Sequence, residues 1–170
     1  MSSSARLARC LFVTVASVVV SACADYRFTV NDRVVYNPAP LFSAFDVPDG
    51  ALEACLRQHI ADASVTAVQQ LTDLNCSHAG VSDLAGLEVF THLVRLKLSN
   101  NAISSVVPLA NITSLQELYL DGNKLGSIMP LRGMLGLKYL NLQANADIVC
   151  QQLEFFRRQP GLELESPDHC

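Results

Sequence analysis

From Leu71 onward the hydrophobic positions fall into one register that recurs every 22 residues. The segments LTDLNCSHAGVSDLAGLEVFTH (71–92), LVRLKLSNNAISSVVPLANITS (93–114) and LQELYLDGNKLGSIMPLRGMLG (115–136) align without insertion, and LKYLNLQANAD opens a fourth at Leu137. The first half of each copy alternates. Leu96 and Leu98 stand two apart and share one side of a short strand, which turns Arg95, Lys97 and Ser99 to the other side. The second half is apolar at every third position: Ile103, Val106, Leu109 and Ile112, then Leu125, Ile128, Leu131 and Met134. Three is the period of a 3₁₀ helix, and Pro108 and Pro130 disfavour a longer α-helix just upstream of them. Asn101 and Asn123 fall between the halves, where an amide side chain can hydrogen-bond the backbone as the chain bends. One copy cannot bury its own leucine row, so the pattern predicts stacked copies sharing a core.

The ends of such a stack must be covered. Asp49 is placed to cap a helix, and Leu52, Cys55, Leu56 and Ile60 then make one apolar face. We assign 49–70 to an N-terminal cap helix and 71–146 to the repeats. In 147–170, Leu153 and Phe156 suggest a short helix ending near Pro160-Gly161, and Leu162 and Leu164 alternate with Glu163 and Glu165 as a last strand. Asp147 reads as the point where stacking ends. Residues 23–48 read as a hairpin or extended arm on the N-terminal cap, the alternative, favoured by Pro38, Pro40 and Pro48, being a stalk leading to the solenoid. Tyr26, Phe28 and Val30 alternate with polar residues, and Phe42 and Phe45 need something to pack on.

The repeat resembles the leucine-rich repeat, pattern L-x-x-L-x-L-x-x-N-x-L. Leu93, Leu96, Leu98, Asn101 and Ile103 match it in full, as do Leu115, Leu118, Leu120, Asn123 and Leu125. The first copy has Cys76 at the third leucine and Ala79 at the asparagine. The fourth keeps Leu137, Leu140, Leu142 and Asn145 but has Asp147 where an apolar residue belongs. The resemblance implies a leucine-rich-repeat solenoid. Its short parallel β-sheet lies on the concave side and 3₁₀ or irregular turns on the convex side, as in the 22-residue bacterial class.

The N-terminus reads as an address. Arg6 and Arg9 precede the apolar run CLFVTVASVVV at 10–20, which is shorter than the roughly 20 residues a spanning helix needs. Val20-Ser21-Ala22-Cys23 resembles the lipobox of bacterial lipoproteins, the alternative being an ordinary signal peptide. The resemblance implies that 1–22 are removed and that Cys23 becomes the lipidated first residue, anchored by about 0.8 kcal/mol per buried CH₂. Ala24 after that Cys implies the outer membrane of a Gram-negative envelope. The remaining chain is more acidic, because the signal carries two arginines and no acid.

Of six cysteines, Cys10 leaves with the signal and Cys23 is acylated. Cys55, Cys76, Cys150 and Cys170 remain, with three possible pairings. Export favours disulfides. In a stacked array chain position maps onto distance, so only Cys55–Cys76 and Cys150–Cys170 can meet, each worth roughly 3 kcal/mol in the chain-entropy view. The cysteines lack the tight pairs of a zinc site, and neither metal nor cofactor is expected.

Composition narrows the function. Half of the 170 residues are hydrophobic, the net charge is −4 and aromatics are 6% without tryptophan, so the chain lacks the basic footprint of a nucleic-acid binder. His59, His78, His92 and His169 sit in no recognised catalytic motif, and Asp73 and Glu117 have one repeat between them, which carries Arg95 and Lys97. We therefore expect no enzyme. The candidate surface is the concave ladder: Asp73, Asn75, Arg95, Lys97, Glu117, Tyr119, Asp121, Tyr139 and Asn141, with Tyr119 and Tyr139 forming an aromatic patch of the kind enriched in binding hot spots. Four strands would present it. The expected partner is an unidentified protein at that face, bound by a monomer held to the membrane through its lipid. The rival readings are a solvated face, with Arg95 and Lys97 bridged to Asp73 and Glu117, on a structural envelope accessory, and a hydrolase.

Overall fold

The computed structural model describes residues 28–30, 33–36 and 39–170. The signal segment 1–22 and Cys23 lie outside the described residues. The chain divides into two units, 1–39 and 40–170. In the first, β1 (Phe28–Val30) and β2 (Arg33–Tyr36) pair antiparallel. Among the described residues no helix is long and apolar enough to cross a membrane.

The second unit is a leucine-rich-repeat solenoid. It opens with residues 40–48, where the Phe42 N–H donates to the Val65 carbonyl at 2.8 Å. Phe42 and Phe45 stack edge-on to the buried Phe90, with ring centroids 6.2 and 5.7 Å away. Gly86 makes this approach possible. Its φ of +93° is left-handed, and a Cβ there would collide with the Asp46 carbonyl and the Val47 side chain. Helix α1 follows (Gly50–Asp62). Asp49 caps it, Oδ1 accepting from the N–H groups of Ala51 and Leu52 at 3.0 Å, and Leu52, Leu56 and Ile60 face the core. Oδ2 of the same carboxylate accepts from the Ser82 and Asp83 N–H groups and the Ser82 hydroxyl, so one side chain ties the cap to the first coil.

Strands β3 (Asp73–Asn75), β4 (Arg95–Lys97), β5 (Glu117–Tyr119) and β6 (Tyr139–Asn141) then stack in parallel at the 22-residue interval. Returning segments at Leu87–Val89, Val107–Leu109 and Met129–Gly133 are 3₁₀, as the three-residue spacing predicts. Every leucine of the strand row and every apolar third position is buried. Burying each leucine side chain stabilises by about 1.5–3 kcal/mol, and none of that burial exists without the neighbouring coil.

Between the halves runs an asparagine ladder. Asn123 Nδ2 donates to the Leu120 carbonyl of its own coil and the Leu98 carbonyl of the coil before, while its Oδ1 accepts from the Ile103 N–H. Asn101 and Asn145 repeat the arrangement. These side chains join coil to coil as well as bracing their own turn. The first coil has Ala79 at this position, and helix α1 rather than another coil packs against its strand.

The C-terminal end departs from the reading of Asp147 as a terminus. Asp147 is exposed, and Ile148, one residue later, fills the apolar slot. The chain then makes the short helix α2 (Leu153–Arg157) and returns as β7 (Glu163–Glu165), which pairs in parallel with β6. The sheet therefore has five strands, not four. Disulfides Cys55–Cys76 and Cys150–Cys170 close the two ends with Cα separations of 5.8 and 5.3 Å. Both are the pairs expected from stacking order.

Candidate functional site

Strand geometry puts alternate residues on the open face of the sheet, so Asp73, Asn75, Arg95, Lys97, Glu117, Tyr119, Tyr139 and Asn141 all stand on it, and Asp121 follows just beyond β5. The structure brings every one of these side chains to a single surface. Cys55, Cys76, Cys150 and Cys170 are instead structural.

The N-terminal part of the face is closed by its own charges. Arg95 Nη1 lies 2.8 Å from Asp73, while its Nε and Nη2 grip both oxygens of Glu117 at 2.6 and 2.8 Å. Hydrogen bonding to Arg95 holds the Glu117 carboxyl below its ordinary range, against a smaller opposing effect of burial. Glu117 therefore stays ionised at neutral pH and has no proton to give. Lys97 behaves differently from the double-bridge expectation. Its ammonium lies 5.0 Å over the Tyr119 ring, a cation–π contact, and among the described residues it makes no ion pair.

The C-terminal part is aromatic and acidic. The Tyr119 and Tyr139 rings have centroids 4.8 Å apart and planes tilted by 40°. Burial, and then the charges of Glu165, Glu163 and Asp121, push the Tyr139 phenol above its ordinary value; burial and Glu117 do the same for Tyr119. Asp121 accepts from the Ser99 hydroxyl at 2.6 Å. Asn75 and Asn141 each accept, through Oδ1, from the backbone two residues on, bracing the turn after the strand.

Two features escaped the sequence. Glu163 and Glu165 join this face because β7 registers Glu163 with Tyr139 and Glu165 with Asn141. Their alternation with leucines predicted the strand, but not its pairing with β6 that brings them to this face. The second is a cleft of about 390 Å³ on the returning side, lined by Arg132, Leu135, Phe155, Arg158 and Pro160 among others. Leu135 is 73% exposed there, and the Arg132 guanidinium stacks 4.8 Å from the Phe155 ring. It forms where a repeat turn meets α2, a contact between distant segments that no local spacing announces. His169 sits beside Cys150 and Cys170, but a disulfide leaves those sulfurs without thiolate character for a metal. Its Nε2 lies 3.0 Å from the Ile148 carbonyl.

The family description "Leucine Rich repeats (2 copies)" matches residues 91–132. Among solved structures, the chain is similar to an internalin, InlF, from Listeria monocytogenes: 26% identity, TM-score 0.57, over 71% of this chain and 43% of that one. It shares its fold with internalin C2 of the same organism, at 22% identity and TM-score 0.57, over 69% of this chain and 54% of that one. The chain thus spans about half the length of these internalins or less. No curated protein matches it significantly.

Proposed function

We propose that this protein is a bacterial leucine-rich-repeat recognition module that binds another protein through the open face of its sheet. The carrying observation is the Tyr119–Tyr139 pair. Two large rings stand half-buried and in contact on an otherwise polar sheet, the sort of rigid, amphipathic anchor that dominates interface energetics. The likeness to an internalin supports the same reading. The face offers recognition rather than catalysis: its best-placed carboxylates, Asp73 and Glu117, are both held by Arg95. We infer no nucleic-acid partner and a monomeric unit.

The lipobox-like run to Cys23 supports a lipidated N-terminus at the outer membrane, with the solenoid displayed from it. Mass spectrometry of the mature N-terminus tests this, and an unmodified start beyond residue 23 refutes it. The rival, an envelope accessory with a passive face, draws support from the self-satisfied Arg95 cluster. Affinity capture with the parent, Tyr119→Ala and Lys97→Glu chains separates the two. Recognition predicts that both variants lose captured protein, and identical capture by all three establishes the passive face.

A further inference from the structure

We propose that the C-terminal half of the open face, from Tyr119 to Glu165, takes a cationic stretch of the partner. Its lysine or arginine heads would lie on the Tyr139 ring and against Glu163 and Glu165. This rests on the reading of that face as a recognition surface and names the chemistry it selects.

The argument is one of uneven charge compensation. In the N-terminal half Arg95 pairs with both Asp73 and Glu117, and the nearby Lys97 charge offsets the acid that one guanidinium cannot. In the C-terminal half, among the described residues, Asp121, Glu163 and Glu165 take part in no ion pair. Their hydrogen bonds come from neutral groups, the Ser99 hydroxyl to Asp121 and the Gln143 amide to Glu165 at 3.2 Å. β7 sets Glu163 and Glu165 directly beside Tyr139 and Asn141. Aromatic faces and unpaired carboxylates together form a cation receptor, because the ring quadrupole and the carboxylate charge attract the same head group. The protein shows this chemistry in its own chain, where the Lys97 ammonium lies over Tyr119. Tyr139, one strand further, carries the same kind of ring toward a more negative edge. A partner's cation placed there meets carboxylates that, among the described residues, take part in no ion pair, whereas an anion meets repulsion.

The test titrates the isotopically labelled protein with hexalysine, and in parallel with hexaglutamate, following backbone amide signals. Hexalysine should shift Tyr119, Tyr139, Glu163 and Glu165 saturably, and Glu163→Gln/Glu165→Gln should weaken it about fivefold or more. Asp46→Asn/Asp62→Asn removes the same charge from the N-terminal end and should leave hexalysine binding unchanged. Equal weakening by both double variants reduces the effect to net charge and overturns the proposal. So does a hexalysine affinity that Glu163→Gln/Glu165→Gln leaves intact, or a shift of the same signals by hexaglutamate. The outcome is separable from the wider reading. If Tyr119→Ala loses the native partner while Glu163→Gln/Glu165→Gln keeps it, the face binds without this cation preference. If neither variant loses it, the face itself is not the site.

Discussion

The two halves of the open face carry similar residues and present different surfaces. Asp73, Arg95 and Glu117 form a closed triad in which each charge faces its opposite. Asp121, Glu163 and Glu165 stand beside the two tyrosines and, among the described residues, take part in no ion pair. A list of charged positions cannot tell these halves apart, because what a partner meets is the charge left after neighbouring strands have paired their own. The difference comes from the order of strands. A cation stands between two acids at β4, and acid follows tyrosine at β7.

Both halves rest on one scaffold, and the largest effect should come from breaking it. Asn123→Ala removes a buried amide that braces two coils, leaving the buried Ile103 N–H without its acceptor and taking one of two amide donors from each of the Leu98 and Leu120 carbonyls. A loss of about 3 kcal/mol or more is expected by denaturant unfolding, with both halves disrupted together. A loss under about 1 kcal/mol would show that the coils do not depend on the ladder.

Acid should separate the ends. Asp49 is opposed by burial, but hydrogen bonds from the Leu52, Ser82 and Asp83 N–H groups outweigh it and bring its pKa from 3.8 down to about 2. A carboxylate depressed in the folded state contributes stability above its unfolded pKa, and that contribution disappears as pH falls through its folded value. Asp49→Ala should therefore cost about 2 kcal/mol at neutral pH and only a small part of that near pH 2. In the parent, amide exchange between pH 4 and 2 should rise first around α1 and β3. Faster exchange first at β6 and β7 would reverse the assignment.

Binding should follow the second half. Tyr139→Ala should weaken capture of the native partner about tenfold, and Asp73→Ala by less than about twofold. The reverse order would move the site to the closed triad. A smaller effect concerns the phenol. Burial and the Glu165 charge raise the Tyr139 pKa, so the neutral phenol is favoured in the fold. The stability linked to it is present below pH about 10 and lost as pH rises through the folded value. Glu165→Gln should bring phenolate formation to lower pH in an ultraviolet titration, while Asp73→Asn should not. Smallest of all, Arg95→Ala should leave the thermal midpoint close to the parent's, since exposed ion pairs contribute little.

The solenoid was legible because its causes are local and repeated. Leucines two apart, apolar positions three apart and one asparagine per turn each report a backbone state, and stacking order then decides which cysteines meet. The fourth copy misled at Asp147 because an apolar slot can be filled one residue later, by Ile148, when the turn lengthens. The face was legible as a set of residues, but its electrostatics were not. Lys97 could pair with an acid or lie on a ring, and only the rotamer it adopts over Tyr119 decides. The Leu135–Phe155 cleft and the packing of Phe42 and Phe45 on Phe90 join segments far apart in sequence, so no spacing encodes them.

Photo-crosslinking from single positions in the native cell tests the central claim most directly. A photoreactive residue at Tyr139 should give a discrete protein adduct, one at Asp73 a weaker one, and one at Leu135 on the returning side none of the same mass. An adduct from Leu135 with nothing from Tyr139 would contradict the claim and move recognition off the sheet.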